Sequence, residues 1–329
     1  MSEQEKLFID EPCVASMFFG EFGWFISRWV GYLRNLKFEV YKDHKFLLVC
    51  PIQYKPLVQD FVDVIVDLPD EFRELNLETD CFEAPSPNSP PGSLTPPLVY
   101  ADMLAFMRQF YDLSRTVETL PPRGAAFEIM NRLPQIFCKY SAPPVNLNKP
   151  IISVFPRNRD RASKRNVPPF IWEKVVDSLI ANDFIVVLGG TPNGSCLADY
   201  TNENVINLIS YDGEDKLAQI IGYLNNSICS ISSQSGLTHL SLACDTPSYI
   251  IGHEKERHTI KENRLDTPTS FRYVSDYRAI DAQTILEDVQ EFIRLLKEKG
   301  WVDKVNYSEI LKRDIDILDS LIQKGIKSE

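Results

Sequence analysis

Short, mostly apolar runs recur along this chain, and each is stopped by Gly, Pro or a change to helical spacing. A run too short for a helix and bounded by breakers reads as a buried strand. Val14-Ala15-Ser16-Met17-Phe18-Phe19 ends at Gly20, and Phe46-Leu47-Leu48-Val49-Cys50 ends at Pro51. Val62-Asp63-Val64-Ile65-Val66 reads as a third strand. Between the first two, over residues 24–36, Phe25, Trp29, Tyr32, Leu33 and Leu36 fall on one helical face. Strands that alternate with helices build parallel sheets, because a parallel pair needs a crossover between its members.

The alternation breaks at residues 141–150, SAPPVNLNKP, and restarts at Ile151-Ile152-Ser153-Val154-Phe155. From there the pattern predicts a helix from Pro168-Pro169 to Ile180 and a strand over 184–188 ended by Gly189-Gly190. A helix over 216–225, a strand over 227–231, a helix over 236–244 and a strand over 247–251 follow. Residues 282–298 and 306–324 read as amphipathic helices. In the first half, residues 84–97, APSPNSPPGSLTPP, cannot be helix or central strand and read as a surface loop. Residues 99–117 then read as helix. The expectation is an α/β chain of two domains, 1–148 and 149–329.

Charge and cysteine usage narrow the function. With 35 Lys+Arg against 46 Asp+Glu, the net charge is -11. Such a chain repels phosphate backbones, so no nucleic-acid partner is expected and any anion site must be a local basic island. Cysteines at 13, 50, 81, 138, 196, 229 and 244 form no CxxC pair, and their number is odd. Reduced thiols in a cytoplasmic protein fit this better than a disulfide framework. His44, His239, His253 and His258 form no HExxH motif, so no metal site is expected. The start, MSEQEKLFIDEP, lacks the basic and apolar regions of a secretory leader. No apolar run approaches the roughly 18 residues of a spanning helix; peripheral membrane contact stays open.

Four segments carry residues suited to chemistry. The first is Gln234-Ser235-Gly236-Leu237-Thr238-His239, between a strand and a helix, where free backbone N–H groups favour an anion. An ordinary cap and a packing histidine would read the same way. The second is the run from Arg157 to Asn166, with five cations against one carboxylate directly after a strand. Arg forks and the Lys164 ammonium suit a diphosphate, although a charge run is commonly a solvated loop. The third is Phe19-Gly20-Glu21-Phe22-Gly23-Trp24, which sets one carboxylate at a helix start, as a cap or as a general base. The fourth is Leu188-Gly189-Gly190, where a ligand could approach the backbone closely; it is not a GxGxxG fingerprint.

Together these segments resemble glycosyltransferases of the GT-B fold, and in particular the heptosyltransferase-like glycosyltransferase family 9. The family's donor-site turn, Asp-Ser-Gly-x-x-His with a later Thr-Pro, is matched by Gln234-Ser235-Gly236-Leu237-Thr238-His239 and Thr246-Pro247. Its strand ending in Gly-Gly is matched by Val186-Val187-Leu188-Gly189-Gly190, and its Lys-Arg-x-x-Pro by Lys164-Arg165-Asn166-Val167-Pro168. Its N-terminal Gly-Asp loop is matched by Gly20-Glu21. The likeness is good over about residues 150–252 and thin before them. Gln234 stands where the family has Asp, and a neutral amide cannot make the same charged contact, which leaves the donor sugar open. Glu21 is one methylene longer than the family's Asp.

The resemblance implies two Rossmann-like domains facing across a crevice, an N-terminal acceptor domain and a C-terminal nucleotide-sugar donor domain. The last helix, about 306–324, would pack back on the first. It implies inverting transfer of a sugar from a nucleotide-diphosphate sugar to a glycan or glycolipid hydroxyl, without metal or other cofactor. Glu21 would be the base, with Gly20 and Gly23 shaping the acceptor loop. Arg157, Lys164, Gln234, Ser235, Gly236 and His239 would hold the diphosphate and sugar, and Gly189 and Gly190 the nucleotide. Two other readings share the fold. A nucleotide-sugar 2-epimerase usually has acidic residues after its Ser-Gly turn, where this chain has Leu237-Thr238-His239-Leu240. A non-catalytic nucleotide-sugar-binding protein would have no use for Glu21 as a base.

Overall fold

The computed structural model describes residues 11–18, 20–70, 72, 96–121, 130, 132–143, 145, 147–160, 163–252 and 262–299. The chain divides into two compact units, Met1–Phe137 and Cys138–Glu329. The expected boundary at residue 148 lies past this division. The intervening segment is hydrogen-bonded to the second unit, Tyr140 N to Ala243 O at 2.9 Å and Ala142 N to Asn225 Oδ1 at 2.9 Å.

In the first unit, strands β1 (Cys13–Met17), β2 (Lys45–Cys50), β3 (Val64–Asp67) and β4 (Thr116–Thr119) form a parallel sheet. Their order is β3-β2-β1-β4. The chain builds outward from β1 to β3 and then returns to lay β4 against the other side of β1. From Phe22 to Val40 it is continuously helical, with wide π turns at Phe25–Trp29 and Leu36–Val40. Phe25, Trp29 and Leu33, three of the residues that set the helical pattern, are buried. Arg34 is buried on the same helix but fully engaged, forked onto Asp60 at 2.7 and 2.9 Å and donating to Leu57 O at 2.8 Å. An interior charge persists only with such partners. Cys13, Ala15 and Met17 of β1 pack with Met103 and Met107.

Those methionines lie on the helix Pro96–Met107, which departs from expectation at both ends. It takes Pro96 and Pro97 into its first turn, where a missing N–H costs nothing; residues 84–95 of the Pro-rich segment lie outside the described residues. It also stops at Met107 rather than running to 117. The chain then turns at Leu113–Arg115 and enters β4, where Arg108 forks onto Glu118 at 2.7 and 2.8 Å. The four-residue Thr-Val-Glu-Thr strand carries too little alternation to separate from a helix end.

The second unit has six parallel strands, β5 (Ile151–Phe155), β6 (Ile185–Leu188), β7 (Val205–Asn207), β8 (Ser227–Ser233), β9 (Ser248–Gly252) and β10 (Thr269–Tyr273). Their order is β10-β9-β8-β5-β6-β7. The expected strands β5, β6, β8 and β9 are present, as are helices Pro169–Ala181, Lys216–Asn226, Gly236–Ala243 and Ala282–Lys299. Strands β7 and β10 were not apparent in the sequence. Both are edge strands, one only three residues long and one interrupted by Ser270 and Arg272. Trp172, Val176, Ile231, Ile251, Ile285 and Val289 share one core. The helix expected at 306–324 lies outside the described residues. Among the described residues no helix is long and apolar enough to cross a membrane.

A polar clamp closes the β9–β10 edge of this unit. Asp288, on the last described helix, accepts from Tyr249 Oη at 2.7 Å and from both ends of the Arg272 fork, Nη2 at 2.7 Å. Burial alone would raise the Asp288 carboxyl, but the Arg272 and Tyr249 hydrogen bonds outweigh it and hold the group below the usual carboxylate range. The folded state therefore binds this proton less readily than the unfolded chain. The stabilisation is present above about pH 4 and is lost as pH falls through the folded value. Asp288→Asn is expected to cost about 1–2 kcal/mol at pH 7. The gap to wild type should shrink at pH 3, as read by urea unfolding at the two pH values; an equal gap at both would mean the charge contributes nothing.

Candidate functional site

In the second unit the chain runs β5, β6, β7 in one direction and β8, β9, β10 in the other. Strands β5 and β8 are therefore neighbours at the reversal, and parallel α/β sheets bind ligands just beyond the carboxyl ends at such a point. Phe155 pairs with Ser232, so Arg157 and Gln234, each two residues further on, leave the sheet at the same level. On the other side of β5, Val154 pairs with Leu188, and Gly189 N donates to Val154 O at 3.1 Å. Three of the four segments singled out in the sequence thus emerge from adjacent strands.

The basic loop after β5 is folded on itself by Asn166. Its side-chain oxygen accepts from the Arg157 guanidinium and from Arg159 N at 3.1 Å, and its Nδ2 donates to Arg159 O at 2.8 Å. Arg157 is 6% exposed. Lys164 sits exposed on the turn Ser163–Arg165, two residues from this anchor. The same loop pairs with the segment after β6: Asn158 N donates to Gly194 O and Cys196 N to Pro156 O, both at 2.9 Å. Gly189 and Gly190 are required where they stand. A Cβ on Gly189 would lie 2.6 Å from the Phe155 ring, and Gly190 has φ 154°, a backbone region that essentially only glycine enters.

After β8, Ser235 caps the helix Gly236–Ala243 in extended conformation. Thr238 Oγ1 donates to Ser233 O at 2.9 Å and accepts from Ser235 N at 3.2 Å. The turn is built from its own hydroxyls, and the N–H groups that remain for an anion are those at Gly236 and Leu237 rather than Ser235. Gln234 is 1% exposed and lies over Gly252 at the end of β9, where an added Cβ would meet its carboxamide at 2.8 Å. His239 Nε2 faces the Glu262 carboxylate at 3.3 Å, both side chains nearly buried.

The first unit repeats the arrangement on a smaller scale. Strands β1 and β4 are neighbours on either side of its own reversal, Ser16 pairing with Thr119, and the chain leaving β1 reaches Gly20 and Glu21. Gly20 is buried, and Glu21 and Gly23 are half-buried at the helix start. Glu21 occupies the capping position, its carbonyl accepting from Trp24 N at 3.0 Å and Phe25 N at 3.2 Å. Its carboxylate makes no capping bond and instead accepts from Trp24 Nε1 at 3.2 Å.

No family model matches the chain, and no curated protein sequence matches it. Solved structures do. The E. coli ADP-heptose lipopolysaccharide heptosyltransferase II superposes with TM-score 0.54 at 16% identity, over 86% of this chain and 99% of that one. The E. coli heptosyltransferase WaaC with ADP gives 0.51 at 12%, over 85% and 99%. TibC, a bacterial iron-containing dodecameric glycosyltransferase from enterotoxigenic E. coli H10407, gives 0.51 at 13%, over 89% and 79%. The chain has the GT-B fold. In this GT-B chain the segments read from sequence fall at the strand ends of two α/β units, with Glu21, Gly20 and Gly23 in the first and the remaining site residues in the second. Sequence reasoning missed the residues that hold them: Asn166 beneath Arg157, Glu262 opposite His239, and Trp24 on Glu21. Asn166 ends the basic run and was within reach of inspection; nothing local marks Glu262.

Proposed function

We propose that this GT-B chain is a cytoplasmic glycosyltransferase that moves a sugar from a nucleoside-diphosphate sugar to a hydroxyl of a glycan or glycolipid. The observation that supports the reading is the strand order of the second unit, in which β5, leading into the basic loop, and β8, leading into the Ser-Gly helix start, are neighbours. Cationic forks next to free helix N–H groups suit a diphosphate. The names of similar structures point the same way, one being an ADP-heptose-dependent heptosyltransferase and another solved with ADP.

In the proposed step the acceptor oxygen attacks the anomeric carbon as the bond from that carbon to the diphosphate oxygen breaks. The acceptor proton passes to Glu21, and the electron pair of the broken bond leaves on the diphosphate. Attack opposite the leaving group inverts the anomeric carbon. Arg157 and Lys164 neutralise the growing negative charge, with no metal assigned to that task, and the Gly236 and Leu237 N–H groups add donors. His239, held by Glu262, lies one turn inside that helix. Gln234 would face the sugar, and Gly189 with Gly190 would admit the nucleotide. The residues before about 148 would serve the acceptor and those after it the donor.

Thermal unfolding with a panel of nucleosides, nucleoside diphosphates and their sugars tests this. A ligand at about 100 times its Kd adds about 2.7 kcal/mol to apparent stability. Diphosphates and their sugars should raise Tm by several degrees and nucleosides by much less. A panel without any diphosphate-dependent shift would overturn the reading.

A further inference from the structure

We infer that Trp24 is a positioning residue for Glu21: its indole N–H draws the carboxylate away from the helix end and presents it as an ionised base. The inference rests on the reading of Glu21 as the base. The shorter carboxylate of an Asp at a capping position turns inward to accept from first-turn backbone N–H groups. The Glu21 side chain takes none of them and lies on Trp24 Nε1 at 3.2 Å instead. The indole is itself fixed, because the cationic guanidinium of Arg28, buried one turn further along, stands over its face at 4.3 Å. A cation on the ring face draws electron density from the indole and strengthens its N–H as a donor.

Tyr54, from the segment Ile52–Tyr54 after β2, lies near enough for the Glu21 charge to act on it. Its ring packs on Phe22 at 5.2 Å and Phe25 at 4.8 Å between centroids. Burial pushes the Tyr54 hydroxyl far above its ordinary range, with Cys50 and Glu21 adding to the effect, so it stays neutral through the working pH range. With Glu21 as the base, the acid limb of the pH–rate profile reports its deprotonation. A hydrogen bond donated to the charged form lowers that group's pKa, and loss of the donor raises it.

The test is the pH profile of kcat for Trp24→Phe, which keeps the ring under Arg28 and removes the N–H. The expected result is a fall in kcat of about three- to tenfold with donor KM within about twofold. The acid limb should move to higher pH by about half a unit to one unit. In a Glu21→Gln background, Trp24→Phe should add nothing. If Trp24→Phe fails to fold, Trp24→Gln against Trp24→Leu makes the same comparison, since only the first retains a donor, and the limb should stay closer to wild type in the first. An unmoved limb, or the same loss in the Glu21→Gln background, overturns the role of Trp24 while the base survives. Wild-type turnover by Glu21→Gln alone would bring down the base itself.

Discussion

Replacing Glu21 by Gln is expected to slow sugar transfer about 10²–10⁴-fold, the usual cost of losing a general base. Gln keeps the size and one hydrogen-bonding oxygen, so Trp24 Nε1 still has an acceptor and the helix start keeps its backbone cap. What disappears is the capacity to take a proton. Donor affinity should stay within a fewfold, because the residues assigned to the donor, Arg157, Ser235 and Gly236, belong to the second unit and Glu21 to the first. Steady-state kcat together with calorimetric donor affinity separates the cases. A rate within a fewfold of wild type removes Glu21 from the mechanism. A large loss of donor affinity at unchanged kcat makes it a binding residue. The non-catalytic reading of the same fold predicts no measurable transfer by wild type under any donor, and the same assay distinguishes that too.

The central strands were legible in the sequence because they are buried on both faces. Ile151-Ile152-Ser153-Val154-Phe155 and Val186-Val187-Leu188 are nearly all apolar, and a run of that kind between breakers has few alternatives. Of the edge strands, β3 was legible from its Val-Ile-Val run, while β4, β7 and β10 escaped because they are short or mix polar and apolar residues. Thr269-Ser270-Phe271-Arg272-Tyr273 mixes polar and apolar residues, and Arg272 is there to reach Asp288 on a helix that follows it in sequence. Helix ends escaped for a similar reason. Nothing in residues 108–117 breaks a helical pattern, yet the chain leaves the helix at Met107 and pairs β4 with β1. The site divided along the same line. Residues that sit at strand ends were found, since Gly, Ser and Arg clusters after an apolar run are local signals. Their anchors were not, since Glu262 meets His239 only when the chain has folded.

Arg157→Met is expected to weaken binding of nucleoside diphosphates about 10- to 100-fold while leaving nucleosides within a fewfold. The physical question is what this guanidinium is for. It is almost fully buried and donates to Asn166 Oδ1, so part of its role is to fold the loop. Asn166 retains Arg159 N as a second donor at 3.1 Å, so removing Arg157 does not strand that oxygen, and the variant should fold. Asn166→Ala makes the complementary change, since it loosens the loop and keeps the cation. If Arg157 only pins the loop, the two variants should weaken diphosphates and nucleosides in parallel. If phosphate meets the guanidinium, only Arg157→Met erases the preference for the diphosphate. Salt provides an independent axis. A phosphate–cation contact is screened as ionic strength rises, so wild-type diphosphate affinity should fall with added salt and the Arg157→Met curve should be flatter. Parallel curves would assign the diphosphate to Lys164 and the helix start instead, and Lys164→Met would then carry the loss.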